Sequence, residues 1–365
     1  MISLYSVLIV ATFVWLAPTV ILLFAVACLL GSVYRFIAGG SDSEAPILKK
    51  FDHAVIAHRA AAKANAKNPS CRVPENTLEA LDVAKKVHGV NSVEFDVACT
   101  LDGVPVVFHD QVLGRTLDVS PEDGSRGIPH FTYNQIRKMK FRSEHVGENS
   151  LNSYVPTLEE TVIHCKNLGL NMMIEVKPLM SDRNCKTVVD IILRHNIQDS
   201  CYVASFDPIV LYRIRKYGQR RITTGFLFSA SVIDLLQLEL ERQQKTVPPM
   251  VMRIATFPLT KLIIDSLFHF LGSPFVLNIL GHKVVAAQYT YLSTHNVRKY
   301  REAGITVLGW TFDEGSEDSQ RVFFNETKIS LITDFPVAEL IARGSDNPSA
   351  VGETNGDNSQ QKKDN

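Results

Sequence analysis

The sequence predicts an α/β fold built as a closed parallel (β/α) barrel. Eight or nine short apolar runs alternate with helical patterns between Ala54 and Arg343, which fits a closed barrel better than an open doubly wound sheet. No GxGxxG pattern follows the first run, so a dinucleotide-binding sheet loses its main support. Polar residues stand at the ends of the predicted strands, where a parallel barrel gathers its active-site side chains.

The N-terminal stretch predicts a membrane anchor. No charged residue occurs before Arg35, and roughly 20 apolar residues suffice to cross a bilayer. A cleaved signal peptide fits less well, because the stretch lacks a basic start and exceeds the usual apolar length. We therefore expect a transmembrane segment at 1–34 and a linker at 35–52 that holds the folded part away from the membrane.

The rest of the chain predicts one barrel domain at 53–343 and a disordered polar tail at 344–365. A single-pass protein of the endoplasmic reticulum or the plasma membrane is expected. Lys49 and Lys50 after the span favour a cytoplasmic barrel, whereas the glycosylation pattern at Asn325 weakly favours a lumenal or extracellular one. The orientation therefore stays open.

The composition argues against several functional classes. Lys plus Arg equals Asp plus Glu at 38 each, so the net charge gives no reason to expect nucleic acid as a partner. The six cysteines show no CxxC or Cys/His spacing, which argues against a zinc site. Serine hydrolysis and NTP hydrolysis are poorly supported, since neither a GxSxG elbow nor a P-loop occurs. Protein partners leave no recognisable signature.

The first two elements are predicted to be a buried strand and a helix. Ala54–Ala57 predicts a short strand that ends at the polar pair His58 and Arg59. After a proline-containing loop, Asn76 stands three residues before Glu79, which is the pattern of a capping box and predicts a helix start.

A β-hairpin is predicted next. Glu94 and Asp96 lie two residues apart in a strand-like run, so both carboxylates point to one face. A tight turn at Asp102-Gly103 leads into a second run that ends at His109. Two carboxylates and an imidazole are therefore expected to converge.

The later part of the chain continues the alternation of strands and helices. Residues 114–156 are predicted to be an insertion, and in the strand 171–177 Glu175 and Lys177 share a face. The further predictions are helices at 186–195, 208–217, 294–303 and 336–343, and strands at 201–206, 221–228, 283–288, 305–310 and 329–333.

An apolar stretch at 257–281 is predicted to be a flap, or a segment in the membrane interface beside the active-site mouth. A second transmembrane helix fits less well, because polar residues interrupt the stretch and a crossing would separate the last strands from the first. A lid over a soluble substrate is the remaining alternative.

Three carboxylates suggest a metal centre. Glu94, Asp96 and Glu175 are oxygen ligands suited to a hard divalent cation, Mg²⁺ or Ca²⁺. Without a cation they would repel one another and raise one another's pKa.

Cations and histidines at neighbouring strand ends suggest the reaction. Arg59 and Lys177 supply the positive charge that a phosphate with developing negative charge requires. His58 and His109 can act as general base and general acid. The combination favours metal-assisted cleavage of a phosphodiester.

Seven short motifs also carry a family resemblance. They are His58-Arg59, Pro74-Glu75-Asn76-Thr77, Glu94-Phe95-Asp96, Val107-Phe108-His109-Asp110, Glu175-Val176-Lys177, Gly309-Trp310-Thr311 and Thr333-Asp334. In order and spacing they resemble the glycerophosphodiester phosphodiesterase family over about residues 53–342. The anchor, the insertion and the apolar stretch resemble the membrane-anchored animal type 1 branch most closely.

The resemblance implies a TIM (β/α)8 barrel that cleaves glycerophosphodiesters to glycerol 3-phosphate and an alcohol. It implies metal ligation by Glu94, Asp96 and Glu175, acid and base roles for His58 and His109, phosphate contacts from Arg59 and Lys177, and Trp310 at the glycerol end of the pocket. The family commonly has glycine after the His-Arg pair, where this chain has Ala60, Ala61 and Ala62. The added Cβ atoms are expected to crowd the phosphate or restrict that loop.

The mechanism expected from two histidines proceeds through a cyclic phosphate. One histidine deprotonates the neighbouring glycerol hydroxyl, which attacks phosphorus, and the other protonates the leaving alcohol. The first hypothesis is a membrane-tethered hydrolase of deacylated diesters such as glycerophosphoinositol. The alternatives are a lysophospholipase D acting on lysophospholipids or glycerophospho-N-acylethanolamines, and a catalytically weak interaction protein.

Overall fold

The computed structural model describes residues 46–60, 69–235, 257–312 and 317–336, together with the single positions 24, 26, 31, 237 and 340. Apart from three of those positions, the predicted anchor at 1–34 lies outside the described residues. The predicted tail at 344–365 and most of the predicted helix at 336–343 also lie outside them.

Eight parallel strands close into a barrel, as predicted. The strands of the described residues are β1 Val55–Ala57, β2 Ser92–Cys99, β3 Pro105–Val107, β4 Leu117–Asp118, β5 Lys140–Phe141, β6 Asn171–Val176, β7 Cys201–Ser205, β8 Thr224–Phe228, β9 Val284–Gln288, β10 Thr306–Phe312 and β11 Ser330–Thr333. Around the barrel their order is β1, β2, β6, β7, β8, β9, β10 and β11, and the β1–β11 pairing closes the ring. Strand β3 pairs antiparallel with β2 and forms the predicted hairpin.

Helices cover the outside of the barrel. Their bounds are α1 Pro46–Lys50, α2 Leu78–Lys86, α3 Pro121–Gly124, α4 Tyr133–Ile136, α5 Leu158–Leu168, α6 Asp182–Arg194, α7 Pro208–Tyr217, α8 Pro258–Leu271, α9 Pro274–Leu280, α10 Thr294–Glu302 and α11 Glu317–Val322. Helix α5 begins at a capping box of Thr157 and Glu160 and ends at Gly169 in the left-handed conformation. These caps fix the first and last residues of α5.

The strands are buried on both faces, which is typical of a parallel barrel. On β2, Val93, Phe95 and Val97 pack outward against the helices, in one core with residues of β6 and α6. The alternate residues Glu94 and Asp96 therefore point into the barrel, as their period-2 spacing predicts.

Helix α1 fills the amino end of the barrel. Its Ile47 and the adjoining Phe51 are fully buried in the core that occupies the barrel interior. The rings of Phe51 and Tyr202 meet edge to face with centroids 4.8 Å apart. Residues 46–52, which fall in the predicted linker, are thus part of the folded domain.

The predicted insertion is a small subdomain with its own apolar core. It contains the β4–β5 pair and the short helices α3 and α4. Leu113, Leu117, Ile128 and Phe141 are among the buried residues that pack there beside Phe108. The insertion is thereby fixed to the end of β3, next to the carboxyl end of the barrel.

The apolar stretch after β8 forms α8 and α9, which meet at a 56° bend. Within the described residues no single helix is long and apolar enough to cross a membrane, whereas this bent pair passes that test by length and composition. Strands β8 and β9, which flank the pair in sequence, are neighbours in the barrel. Both ends of the pair are therefore attached to the same folded body.

Candidate active site

A cluster of three carboxylates lies at the carboxyl end of β2 and β6. Asp96 on β2 stands opposite Glu175 on β6, and Glu94 lies two residues earlier on β2. One oxygen from each of the three lies within 4.8 Å of the others, and Glu94 and Asp96 are buried. Burial raises the pKa of Glu94 well above its ordinary value, and the neighbouring carboxylates raise it further.

Lys177 neutralises part of this charge. Its Nζ donates to Asp96 Oδ1 over 2.5 Å and to Glu175 Oε1 over 2.7 Å. Burial alone would lower the pKa of the ammonium, but the two carboxylates raise it above its ordinary value. Burial likewise would raise the pKa of Asp96, yet Lys177 and Arg59 lower it below that of a free aspartate.

The cluster has the chemistry of a site for a hard divalent cation. All three groups offer carboxylate oxygens, which Mg²⁺ and Ca²⁺ prefer. Glu94 Oε1 is buried and has no hydrogen-bond partner within the described residues, so one acceptor of the cluster is left for a cation. The residues present thus fit a divalent metal.

Arg59 lies between the carboxylates and the histidines. Its backbone N–H donates to Glu94 Oε2 over 2.9 Å, and Nη1 donates to Glu75 Oε1 over 3.0 Å. The Nε–H is buried 3.9 Å from Asp96 Oδ2 and has no hydrogen-bond partner in the described part of the chain. A buried, unsatisfied guanidinium donor at the mouth is suited to an anionic oxygen.

The backbone around Arg59 shows how Ala60 is accommodated where the family commonly has glycine. Arg59 and Ala60 have φ of 46° and 62°, the left-handed region that glycine adopts most easily. Ala60 adopts it although it is fully buried. This turn directs the Arg59 N–H to Glu94. Ala60 thus adopts the left-handed conformation of the turn in spite of its Cβ atom. Ala61 and Ala62 lie outside the described residues.

His109 is held as a neutral imidazole. Arginine can only donate, so the 2.7 Å contact from Arg59 Nη2 makes His109 Nε2 an acceptor, and Nδ1 then donates to Asp110 Oδ1 over 2.8 Å. Burial lowers the pKa of His109 well below its ordinary value, and Arg59, Lys177 and Arg115 lower it further.

His58 lies beside Glu94 of the carboxylate cluster and is held differently. Its Nδ1 contacts Asp334 Oδ1 at 2.7 Å, and its Nε2 lies 3.9 Å from Glu94 Oε2. A carboxylate on Nδ1 fixes the orientation of the ring and leaves Nε2 facing the cluster. The two histidines therefore differ in environment, one beside cations and one beside carboxylates.

Trp310 lies in the barrel mouth, with its N–H directed inward. The indole Nε1–H donates to the carbonyls of Phe228 and Ala286, over 3.1 Å and 2.8 Å. Its ring meets Phe206 edge to face at 5.8 Å. The ring, rather than the N–H, is the surface that Trp310 offers to a ligand.

Several positioning residues were not predicted from the sequence. Arg115, from the insertion, donates through Nε to Asp110 Oδ2 over 2.6 Å and through Nη2 to Glu75. Glu75 also binds Arg59, so one network joins the insertion to both the histidine and the arginine. No pattern in the sequence identifies Arg115, because its approach to the site depends on how the insertion packs.

The predicted capping role of Asn76 is wrong. The helix cap is Thr77, whose Oγ1 accepts from Ala80 N. Asn76, with φ of 61°, instead donates to Asp96 Oδ2 over 2.9 Å. The Asn76 side chain therefore binds the buried carboxylate of Asp96 and does not cap the helix.

Comparison with known proteins gives one consistent result. Residues 58–338 match the Glycerophosphoryl diester phosphodiesterase family. Glycerophosphodiester phosphodiesterase 1 of Bos taurus is 30% identical over 309 residues, covering 80% of this chain and 84% of that protein. The Homo sapiens protein of the same name is 29% identical over 307 residues, covering 80% and 84%.

Solved structures share the fold. A phosphodiesterase of Oleispira antarctica, solved in complex with its product sn-glycerol-3-phosphate, matches with a TM-score of 0.58 at 21% identity, covering 82% of this chain and 99% of that chain. A glycerophosphodiester phosphodiesterase of Agrobacterium tumefaciens matches with a TM-score of 0.55 at 17% identity, covering 80% and 99%.

Proposed function

The chain belongs to the glycerophosphodiester phosphodiesterase family and is an enzyme of that class, and we propose that it is a membrane-anchored, metal-dependent hydrolase of glycerophosphodiesters such as glycerophosphoinositol. Its products are glycerol 3-phosphate and an alcohol. The observation that carries the proposal is the buried carboxylate cluster flanked by two differently held histidines. A catalytically weak interaction protein would have no need of this arrangement.

Glu94, Asp96 and Glu175 would hold the metal, Mg²⁺ or Ca²⁺. When bound, the cation supplies positive charge that neutralises the phosphate and the charge developing on it. The backbone N–H of Arg59 and the side chain of Asn76 orient two of the ligand carboxylates.

Arg59 and Lys177 bind the phosphate. Both are cations at the barrel mouth, Arg59 buried and Lys177 partly buried, and the Arg59 Nε–H lacks a hydrogen-bond partner among the described residues. A phosphate that draws the guanidinium away from His109 Nε2 frees that nitrogen to accept a proton. Substrate binding thereby prepares the base, and the ring of Trp310 borders the glycerol.

The environments of the two histidines support separate roles in proton transfer. His109 Nε2 takes the proton from the neighbouring glycerol hydroxyl as that oxygen bonds to phosphorus. The bond from phosphorus to the alcohol oxygen breaks, and His58, held by Asp334, gives that oxygen a proton. Water then opens the cyclic phosphate with the proton transfers reversed, which leaves glycerol 3-phosphate and restores both histidines.

Release of glycerol 3-phosphate from glycerophosphoinositol tests the function. The full chain in detergent is expected to release it, to lose the activity in EDTA and to regain it with Mg²⁺ or Ca²⁺. Glu94→Gln should abolish turnover, whereas the control Glu159→Gln, a partly exposed helix residue paired with Arg194 and His195, should retain it. A folded chain that releases no product with any divalent metal contradicts the proposal.

Rapid quenching of a single turnover tests the cyclic route. The cyclic phosphate should accumulate transiently before glycerol 3-phosphate forms. Absence of the cyclic species, together with one-step incorporation of ¹⁸O from water, would instead assign a direct attack of water.

Membrane attachment is part of the proposal and rests on the uncharged residues 1–34. We expect carbonate-resistant membrane association of the full chain, at the endoplasmic reticulum or the plasma membrane. Occupancy of Asn325 by a glycan would assign the barrel to the lumenal or extracellular side. Extraction of the full chain by carbonate would argue against the anchor.

A further inference from the structure

Helix α8 presents an apolar face to the outside. Leu259, Leu262, Ile263, Leu267 and Phe270 recur at helical spacing and are between 42% and 63% exposed. Helix α9 continues the face with exposed Phe275 and Leu280. A surface helix of a soluble barrel normally turns such a stripe toward the core.

The polar side chains of α8 turn toward the protein instead. Asp265 Oδ1 accepts from the backbone N–H of Val232 over 3.0 Å, and His269 Nε2 contacts the carbonyl of Ala230 at 2.7 Å. Lys261 at the flank is paired with Asp234. The inner side of α8 thus carries these polar groups beside the buried Phe268, while its outer side is apolar, unlike that of a helix that faces water.

This face adjoins the active-site mouth. Both backbone partners of α8 follow β8 at its carboxyl end, and the Phe268 ring stacks on Phe228 with centroids 5.4 Å apart. The carbonyl of Phe228 in turn accepts from Trp310 Nε1 in the mouth. Contacts through Trp310, Phe228 and Phe268 therefore connect the site to helix α8.

The rim of the mouth carries a further apolar residue. Leu179, two positions after Lys177, is 91% exposed and has φ of 63°, and its N–H is held by Asp207 Oδ2 over 2.9 Å. The left-handed backbone is unfavourable for leucine. Ile209, at the start of α7, is also exposed on this side. Two exposed apolar side chains thus stand beyond the carboxyl ends of β6 and β7.

The occupant of this face follows from its neighbours. Phe24, in the uncharged N-terminal stretch, meets Phe270 edge to face at 4.9 Å, and a Cβ at Gly31 would lie 3.5 Å from Ile279. The face is thus continuous with the segment expected in the membrane. The pair itself cannot cross, since β8 and β9 belong to one barrel. Lipid at the membrane interface fits a face that adjoins the N-terminal segment and belongs to a helix pair that does not cross.

We propose that the outward face of α8 and α9, with the rim at Leu179, lies in the lipid interface and turns the mouth toward the bilayer. Glycerophosphodiesters that still carry an acyl chain then reach the site directly from the membrane. This substrate class rests on the proposed phosphodiesterase function, whereas the seating of the face on lipid does not.

The test compares two substrates with one head group. The full chain in phosphatidylcholine vesicles is assayed on bilayer-embedded lysophosphatidylcholine and on soluble glycerophosphocholine. The double variant Leu259→Glu/Leu262→Glu should lower kcat/KM for the lysolipid by about tenfold or more, because two carboxylates oppose seating in the interface. Turnover of the soluble diester should stay within about twofold, as neither leucine touches the site. Val87→Glu, equally exposed at the far end of α2, should change neither rate.

A direct measurement of depth accompanies the kinetics. Trp15 lies in the expected anchor, so both variants are made in a Trp15→Phe background. A tryptophan introduced as Leu262→Trp should be quenched by brominated lipid, whereas one introduced as Val87→Trp should not. Equal loss on both substrates, or an unchanged lysolipid rate, would overturn the proposal. A change from dimer to monomer in the double variant with no change in lysolipid rate would assign the face to a second copy of the chain. If the wild type cleaves neither substrate, the proposed function fails. The quenching experiment alone then tests whether the face of α8 and α9 lies in the lipid interface.

Discussion

Replacing Arg115 by methionine tests whether the insertion controls the proposed base. The guanidinium donates to Asp110 Oδ2 over 2.6 Å, and Asp110 Oδ1 accepts from His109 Nδ1 over 2.8 Å. Methionine keeps much of the stem of the side chain and removes the charge. Asp110 then loses the partner that fixes it, and its own pKa, already raised by burial, rises further.

The expected magnitude follows from the bonds lost. A hydrogen bond between charged groups contributes about 1.5–3 kcal/mol, which corresponds to a loss of about 10- to 150-fold in kcat/KM if it acts through Asp110 on the transition state. Stability should fall by roughly 3 kcal/mol, the lower end for breaking a buried pair, because the Arg115 side chain is 28% exposed.

The pH dependence separates positioning from a structural role. Arg115 is one of the cations that lower the pKa of His109. Removing it lets that pKa rise, so the acid limb of the kcat/KM profile should move to higher pH. The assay is release of glycerol 3-phosphate across pH, with Arg115→Lys expected to recover part of the rate and the exposed Arg126→Met as control. A less stable Arg115→Met enzyme with an unchanged rate and pH profile would show that Arg115 has a structural role only.

Three further predictions concern the residues that hold the site. Asp334→Asn should lower kcat by about 10- to 150-fold with little change in KM, because the charge facing His58 is lost; an unchanged kcat would exclude this role. The raised pKa of Glu94 means that the folded, metal-free chain binds a proton that the unfolded chain releases above about pH 4.5, so the melting temperature of the wild type in chelator, relative to that of Glu94→Gln, should fall as pH rises. The lowered pKa of His109 acts in the opposite direction but contributes to both chains. A difference between the two chains that does not change with pH would contradict the raised pKa of Glu94. Asn76→Gly, which suits the left-handed backbone, should weaken metal activation by about 10- to 100-fold through Asp96, and an unchanged activation constant would count against it.

The barrel and its carboxylates could be predicted because both follow from local periodicity. A period of two places Glu94 and Asp96 on one face, and the ends of parallel strands bring Glu175 beside them. The hairpin that delivers His109 was likewise predicted from an Asp-Gly turn. These features need no knowledge of distant contacts.

The features that were not predicted from the sequence depend on contacts between residues far apart in the chain. Arg115 reaches the site because the insertion packs against the end of β3, and Asn76 leaves its predicted cap for a carboxylate on another element. Residues 46–50 form a helix because the open barrel end buries Ile47. Helix α11 and the π-helical turn Phe323–Thr327 were not predicted, since segments of this length carry little periodic signal.

Calorimetric titration of a divalent cation, paired with activation of turnover, is the decisive test of the carboxylate cluster as a metal site. We expect one ion per chain, with a Kd equal to the concentration that half-activates release of glycerol 3-phosphate. Glu94→Gln should lose both the binding and the activation, while Glu159→Gln should lose neither. Activation at a concentration unrelated to binding, or unchanged binding in Glu94→Gln, would contradict the assignment of the metal to the carboxylate cluster.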